Sequence, residues 1–134
     1  MAKVLEAKLK IESWDERPYL ELAEGTKLTR ADVALSGPQD GLTSGTFQAL
    51  MFYRADGTSS YVTLMTVTGT LDGRAGSFVL QGHGSYDGTA ARGESHVVAG
   101  SGTGELAGLG GTAESVSTHS DYPFMPLTLK YDIG

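Results

Sequence analysis

Residues 40–88 read DGLTSGTFQALMFYRADGTSSYVTLMTVTGTLDGRAGSFVLQGHGSYDG, and this stretch decides the fold. Asp-Gly recurs at Asp40-Gly41, Asp56-Gly57, Asp72-Gly73 and Asp87-Gly88, at spacings of 16, 16 and 15 residues. Gly takes positive φ freely, and Asp tolerates the left-handed region while bonding nearby backbone, so the pair favours tight turns. The intervals Leu42 to Arg54, Ser60 to Leu71 and Arg74 to Tyr86 are rich in Thr, Val, Tyr and Phe and contain no Pro. Evenly spaced turns around strand-like runs predict successive antiparallel hairpins, a β-meander. The runs are roughly twice the usual strand length, and long meander strands close into a barrel that leaves no unpaired edge.

The flanks extend the pattern. Leu5, Ala7, Leu9 and Ile11 alternate with Glu6, Lys8, Lys10 and Glu12, a half-buried first strand. Lys27 to Leu35 supplies a second, with Ala31, Val33 and Leu35 inward. Arg92 to Ala99, Thr112 to His119 and Leu127 to Ile133 supply three more, and in the last Leu127, Leu129, Tyr131 and Ile133 face in. The prediction is an all-β single domain over residues 1–134: an antiparallel eight-stranded up-and-down barrel with little helix. Trp14 to Glu24 lacks strand alternation and contains Pro18, so a turn or short helical piece is expected there. Gly100 to Gly111 reads as a glycine loop with one helical turn at Glu105 to Leu109.

Composition agrees with this and excludes several functions. Glycine accounts for 19 of 134 residues, roughly twice average usage, and interior Gly opposes helix. Interior strand glycines such as Gly76, Gly82, Gly84 and Gly93 are expected to mark bends and open cavity space. Net charge is -6, and the 10 basic residues form no cluster, so nucleic acid is not an expected partner. No apolar run approaches a membrane span, and Met1 to Lys10 lacks an apolar signal region. Without cysteine there is no disulfide or thiol chemistry, and a cytoplasmic location is the expectation.

Motifs narrow the chemistry further. Gly102-Thr-Gly104-Glu-Leu-Ala107 fits a dinucleotide fingerprint in letters, but Gly108, Gly110 and Gly111 stop the helix that a pyrophosphate would need. Ser85 and Ser95 lack a nucleophile elbow. His83, His96 and His119 lie on different predicted strands, and no metal site is assigned to them. Glu94 and His96 share a strand face; inside an apolar cavity they would suit acid–base work, and on the outside they would form a polar stripe. Tyr53 and Tyr61 flank the Asp56-Gly57 turn and are placed near one barrel mouth. Trp14, Phe47, Met51, Met65 and Phe78 read either as core or as pocket wall. The apolar stretch His119 to Leu127 reads as a lid, an oligomer contact or rim packing.

The runs Tyr53-Arg-Ala-Asp-Gly-Thr58, Thr68-Gly-Thr-Leu-Asp-Gly-Arg-Ala-Gly-Ser-Phe-Val-Leu-Gln81 and Gly100-Ser-Gly-Thr-Gly-Glu-Leu-Ala-Gly-Leu109 resemble the DUF3224 family. Ser13-Trp-Asp-Glu16 and Lys27-Leu-Thr-Arg30 resemble its opening segment. The resemblance implies a small barrel similar to allene oxide cyclase and dirigent-type barrels, which bind apolar molecules and steer cyclisation or coupling without a cofactor. It implies no established reaction for DUF3224 itself. It also implies an acid at Met65, a His directly after Gln81 and a large aromatic near Ser95; this chain departs at all three.

The combined expectation is a small-molecule-binding barrel acting as a cofactor-independent cyclase or isomerase on an apolar substrate. The expected catalytic groups are Tyr53, Tyr61, Glu94 and His96, and the expected ligand contacts are Trp14, Phe47, Met51, Met65, Phe78, His83 and Ser95. The alternatives are a lipocalin-like carrier or sensor, and a structural barrel with a filled interior. A homo-oligomer is compatible with each.

Overall fold

The computed structural model describes residues 3–38 and 41–133. Eight antiparallel strands follow one another around a closed barrel: β1 (Lys3–Glu21), β2 (Lys27–Ser36), β3 (Leu42–Tyr53), β4 (Ser59–Leu71), β5 (Arg74–Tyr86), β6 (Ala90–Val97), β7 (Leu109–Thr118) and β8 (Phe124–Ile133). Short 3-10 turns at Ala23–Gly25 and Gly104–Leu106 are the helical content among the described residues. The Asp-Gly reading holds at three positions. Gly57, Gly73 and Gly88 all have positive φ, and Asp72 joins Gly73 in the left-handed region at φ 52, a two-residue hairpin turn. The fourth turn falls partly on Asp40, outside the described residues.

Trp14 to Glu24 departs from expectation. The helical piece shrinks to the 3-10 turn at Ala23–Gly25, and β1 runs on to Glu21 through most of the stretch. Two register shifts against β2, between Ile11 and Ser13 and between Pro18 and Leu20, account for the missing alternation. Each bulge flips the face of the residues beyond it, so a strand with two bulges shows no steady period of two. The bulged strand also closes the barrel: Lys3 to Lys10 pairs with β8, and Lys10 to Glu21 pairs with β2.

Inward residues fill one end. Leu9, Val67, Leu71, Phe78, Leu80, Leu106 and Leu129 are fully buried there, and the loop after β6 follows β5 through Val98, Ser101 and Thr103 to bring Leu106 in as a plug. Ala31, Val33 and Leu35 face in, as do Leu127, Leu129 and Tyr131. Burying each large apolar side chain contributes about 1.5–3 kcal/mol, so this end carries much of the stability. No helix among the described residues is long and apolar enough to cross a membrane.

Candidate functional site

The other end is open. A cavity of about 350 Å³ lies inside the barrel beneath the turns that follow β3, β5 and β7. β1, β3, β4 and β8 line one side with Ile11, Trp14, Phe47, Met51, Tyr53, Met65 and Met125. Small or hydroxyl-bearing residues line the opposite side: Ala91, Gly93 and Ser95 from β6, and Ser115 and Ser117 from β7. The Trp14 indole meets the Phe47 ring edge to face at 5.8 Å. Trp14, Phe47, Met51, Met65, Tyr53, Tyr61 and Ser95, all among the expected site residues, line this one cavity.

His83 and Glu94 also border the cavity but turn their side chains away from it, and His96 lies off it. Register fixes this: Ser95 pairs with Gly82 and Ala113, whose positions face the interior, so its neighbours Glu94 and His96 face outward. His83 pairs with Glu94, and Glu94 with Glu114, in a row on the exposed outer face. The Glu94–His96 stripe therefore cannot serve as an acid–base pair on a molecule inside the barrel. Among the described residues no three His, Asp or Glu side chains converge to hold a metal ion. Phe78 is also displaced from its expected role: 1% exposed, it belongs to the packed end and not to the cavity lining. The resemblance implies a His directly after Gln81; that position is Gly82, which faces in.

Tyr61 lies along the cavity wall. A Cβ built on Gly84 would come within 2.6 Å of its Cε1 and Cζ atoms, so the ring packs directly on the glycine backbone. Its hydroxyl donates to the Arg92 carbonyl at 3.4 Å, and burial raises its pKa. The space expected from Gly84 is occupied by this ring. At the rim the Tyr86 hydroxyl lies 3.1 Å from the Gly88 carbonyl and 2.9 Å from His119 Nε2. Its single proton satisfies the carbonyl when Nε2 is the donor. In the stretch expected as a lid, β8 begins at Phe124; Phe124 is exposed and Met125 turns into the cavity.

Glu16 is the residue sequence reasoning missed. The bulge before Ser13 turns Trp14 and Glu16 toward the barrel. There the carboxylate accepts from Trp14 Nε1 at 2.9 Å and from the Thr29 hydroxyl at 2.8 Å. The Tyr53 hydroxyl lies against the same carboxylate and 3.4 Å from the Met51 sulfur. Partial burial works to raise the Glu16 pKa, but hydrogen bonds from Tyr53, Trp14 and Thr29, with the Lys27 charge, outweigh it and hold the group below its ordinary value. Tyr53 is pushed the other way, by burial and then by its bond to Glu16, so it stays a phenol. Lys27 sits 5.3 Å from the centre of the Tyr53 ring.

The comparisons agree with this architecture. The chain is similar over its whole length to a protein with unknown function from the DUF3224 family of Shewanella oneidensis MR-1, whose crystal structure was determined at 1.84 Å. The two share 26% identity over 100% of this chain and 99% of that one, with a TM-score of 0.77. No curated protein matches. The family model described as "Protein of unknown function (DUF3224)" matches residues 5–131, and the chain therefore belongs to the DUF3224 family.

Proposed function

We propose that the barrel binds an apolar small molecule in the cavity beneath its open end. The observation that carries this reading is a cavity of about 350 Å³ whose walls are aromatic, methionine and hydroxyl side chains. That volume lies within the range of small-molecule pockets, and eight-stranded barrels either fill their interior or hold one small ligand. Holding is favoured over proton-transfer chemistry. The ionisable side chains on the lining that face inward are tyrosines, and Tyr53 and Tyr61 are both kept protonated. A cyclase or isomerase reading rests on restraint of the substrate's conformation, without a cofactor and without an acid–base pair.

Native mass spectrometry of the purified protein, with titration of the neutral dye Nile red, tests the reading. Dye binding that is saturable, one to one and weakened in Ser95→Phe, which projects a phenyl ring into the cavity, is the expected result. A folded protein that neither carries a small molecule nor binds the dye refutes it.

A further inference from the structure

The polar groups around the cavity differ in what they leave unsatisfied. On the aromatic wall the Trp14 indole nitrogen donates to Glu16 and the Tyr53 hydroxyl to the Met51 sulfur. The hydroxyls of Ser59 and Thr63 from β4, Ser95 from β6 and Ser117 from β7 line the cavity without a protein partner among the described residues. None of these is sealed from solvent, so each is solvated in the empty barrel and must find a partner when a ligand displaces that water. Among the described residues no Lys or Arg lines the cavity and register turns the His83 side chain outward; Lys27, on the inner face at the mouth, lies over the Tyr53 ring and already faces the Glu16 carboxylate. An anionic ligand would be left buried without a counter-charge of its own.

We propose that the ligand is a neutral, ring-bearing molecule with hydroxyl or carbonyl oxygens along one edge. Its ring lies against Trp14 and Phe47, and its oxygen edge faces Thr63, Ser95 and Ser117. Fatty acids and other carboxylates are disfavoured, because Lys27, the cation on the inner face at the mouth, is already matched by Glu16. This assignment rests on the binding reading above and names the class of molecule bound.

Calorimetry with naphthalene, 2-naphthol and 2-naphthoate at neutral pH tests it, because the three share one ring system. 2-Naphthol is expected to bind about threefold to tenfold tighter than naphthalene, the increment of one hydrogen bond. 2-Naphthoate is expected to bind at least about tenfold more weakly than 2-naphthol. The ratio of naphthol to naphthalene affinity is expected to fall toward one in Thr63→Val/Ser95→Ala/Ser117→Ala. If naphthoate binds as well as naphthol, the charge exclusion is overturned while the binding reading stands. If naphthol shows no advantage over naphthalene, or does not bind, the hydroxyl edge is overturned whatever Nile red does. Failure of all three probes and of Nile red removes the binding reading itself. Should the triple variant not fold, the wild-type comparison among the three probes decides alone.

Discussion

Gly84 and Gly93 are cross-strand partners on the inner face, yet adding one methyl group to each has opposite expected outcomes. A Cβ on Gly84 would stand 2.4 Å from the Arg92 carbonyl oxygen and 2.6 Å from two atoms of the Tyr61 ring, far inside contact distance. On Gly93 the nearest atoms are the His83 oxygen at 3.6 Å and the Tyr61 hydroxyl at 3.8 Å, which is ordinary packing. Overpacking of this kind costs about 1–3 kcal/mol, and a barrel of this length loses roughly 3–4 °C of Tm per kcal/mol. Gly84→Ala is therefore expected to lower Tm by roughly 3–12 °C, whereas Gly93→Ala stays within about 2 °C of wild type. Thermal and urea unfolding followed by circular dichroism measures both. A double-mutant cycle isolates the ring. In a Tyr61→Ala background the cost of Gly84→Ala should shrink by about 1 kcal/mol, because only the backbone contact to Arg92 remains. An unchanged cost in that background, or Gly93→Ala proving as damaging as Gly84→Ala, would refute the placement of Tyr61 on the glycine wall.

Three further outcomes follow from named contacts. Glu16→Gln replaces an acceptor shared by Trp14, Tyr53 and Thr29 with an amide that also donates, and should cost about 1–2 kcal/mol in urea unfolding. Because the folded pKa of Glu16 is lowered, its contribution is present above the ordinary carboxylate range and is lost as pH falls through the folded value. Acid unfolding of Glu16→Gln should accordingly show a shallower loss of Tm across that window than wild type. Glu94→Gln and His96→Ala, on the outer face, should each change stability by less than about 0.5 kcal/mol and leave Nile red affinity unaltered; a loss of affinity would mean these side chains reach the cavity. Asp72→Val, at a left-handed turn position, should cost about 1–2 kcal/mol, while Asp72→Asn loses only the exposed ion pair with Lys3 and should cost less than about 1 kcal/mol.

Most of the barrel is legible in the sequence because its turns are local chemistry. An Asp-Gly pair needs no tertiary partner to favour a hairpin, and Lys27–Ser36, Ser59–Leu71 and Arg74–Tyr86 start and stop close to the places such turns and alternation indicate. What fails to read is parity. In β6 the sequence shows that Glu94 and His96 share a face but not which face, because Ala91, Gly93 and Ser95 on the other are small and carry no apolar signal. Register with β5 and β7 decides, and register is a property of pairs of strands. β1 fails for a related reason: each bulge resets the period, so Trp14 and Glu16 look like a polar turn when read in line and face the barrel when folded.

The bulge in β1 also bears on what the site can do. Without it Trp14 and Glu16 would continue the parity of Ile11 on the opposite face, and the barrel would present neither an indole to the cavity nor an acceptor for Tyr53. With it, the Glu16 carboxylate accepts from Trp14 on one oxygen and from Thr29 on the other, and these surroundings hold it charged. A general base needs a lone pair free for the substrate's proton and a pKa raised toward neutrality. Glu16 lacks the raised pKa, and Tyr53, its own pKa raised first by burial, stays a phenol. Glu16 thus fixes the aromatic wall, and on the proposed binding reading recognition falls to the free hydroxyls. On that reading a ligand would meet a rigid apolar wall and a set of adaptable hydrogen-bonding groups, the division of labour expected of a site that holds a molecule in one orientation.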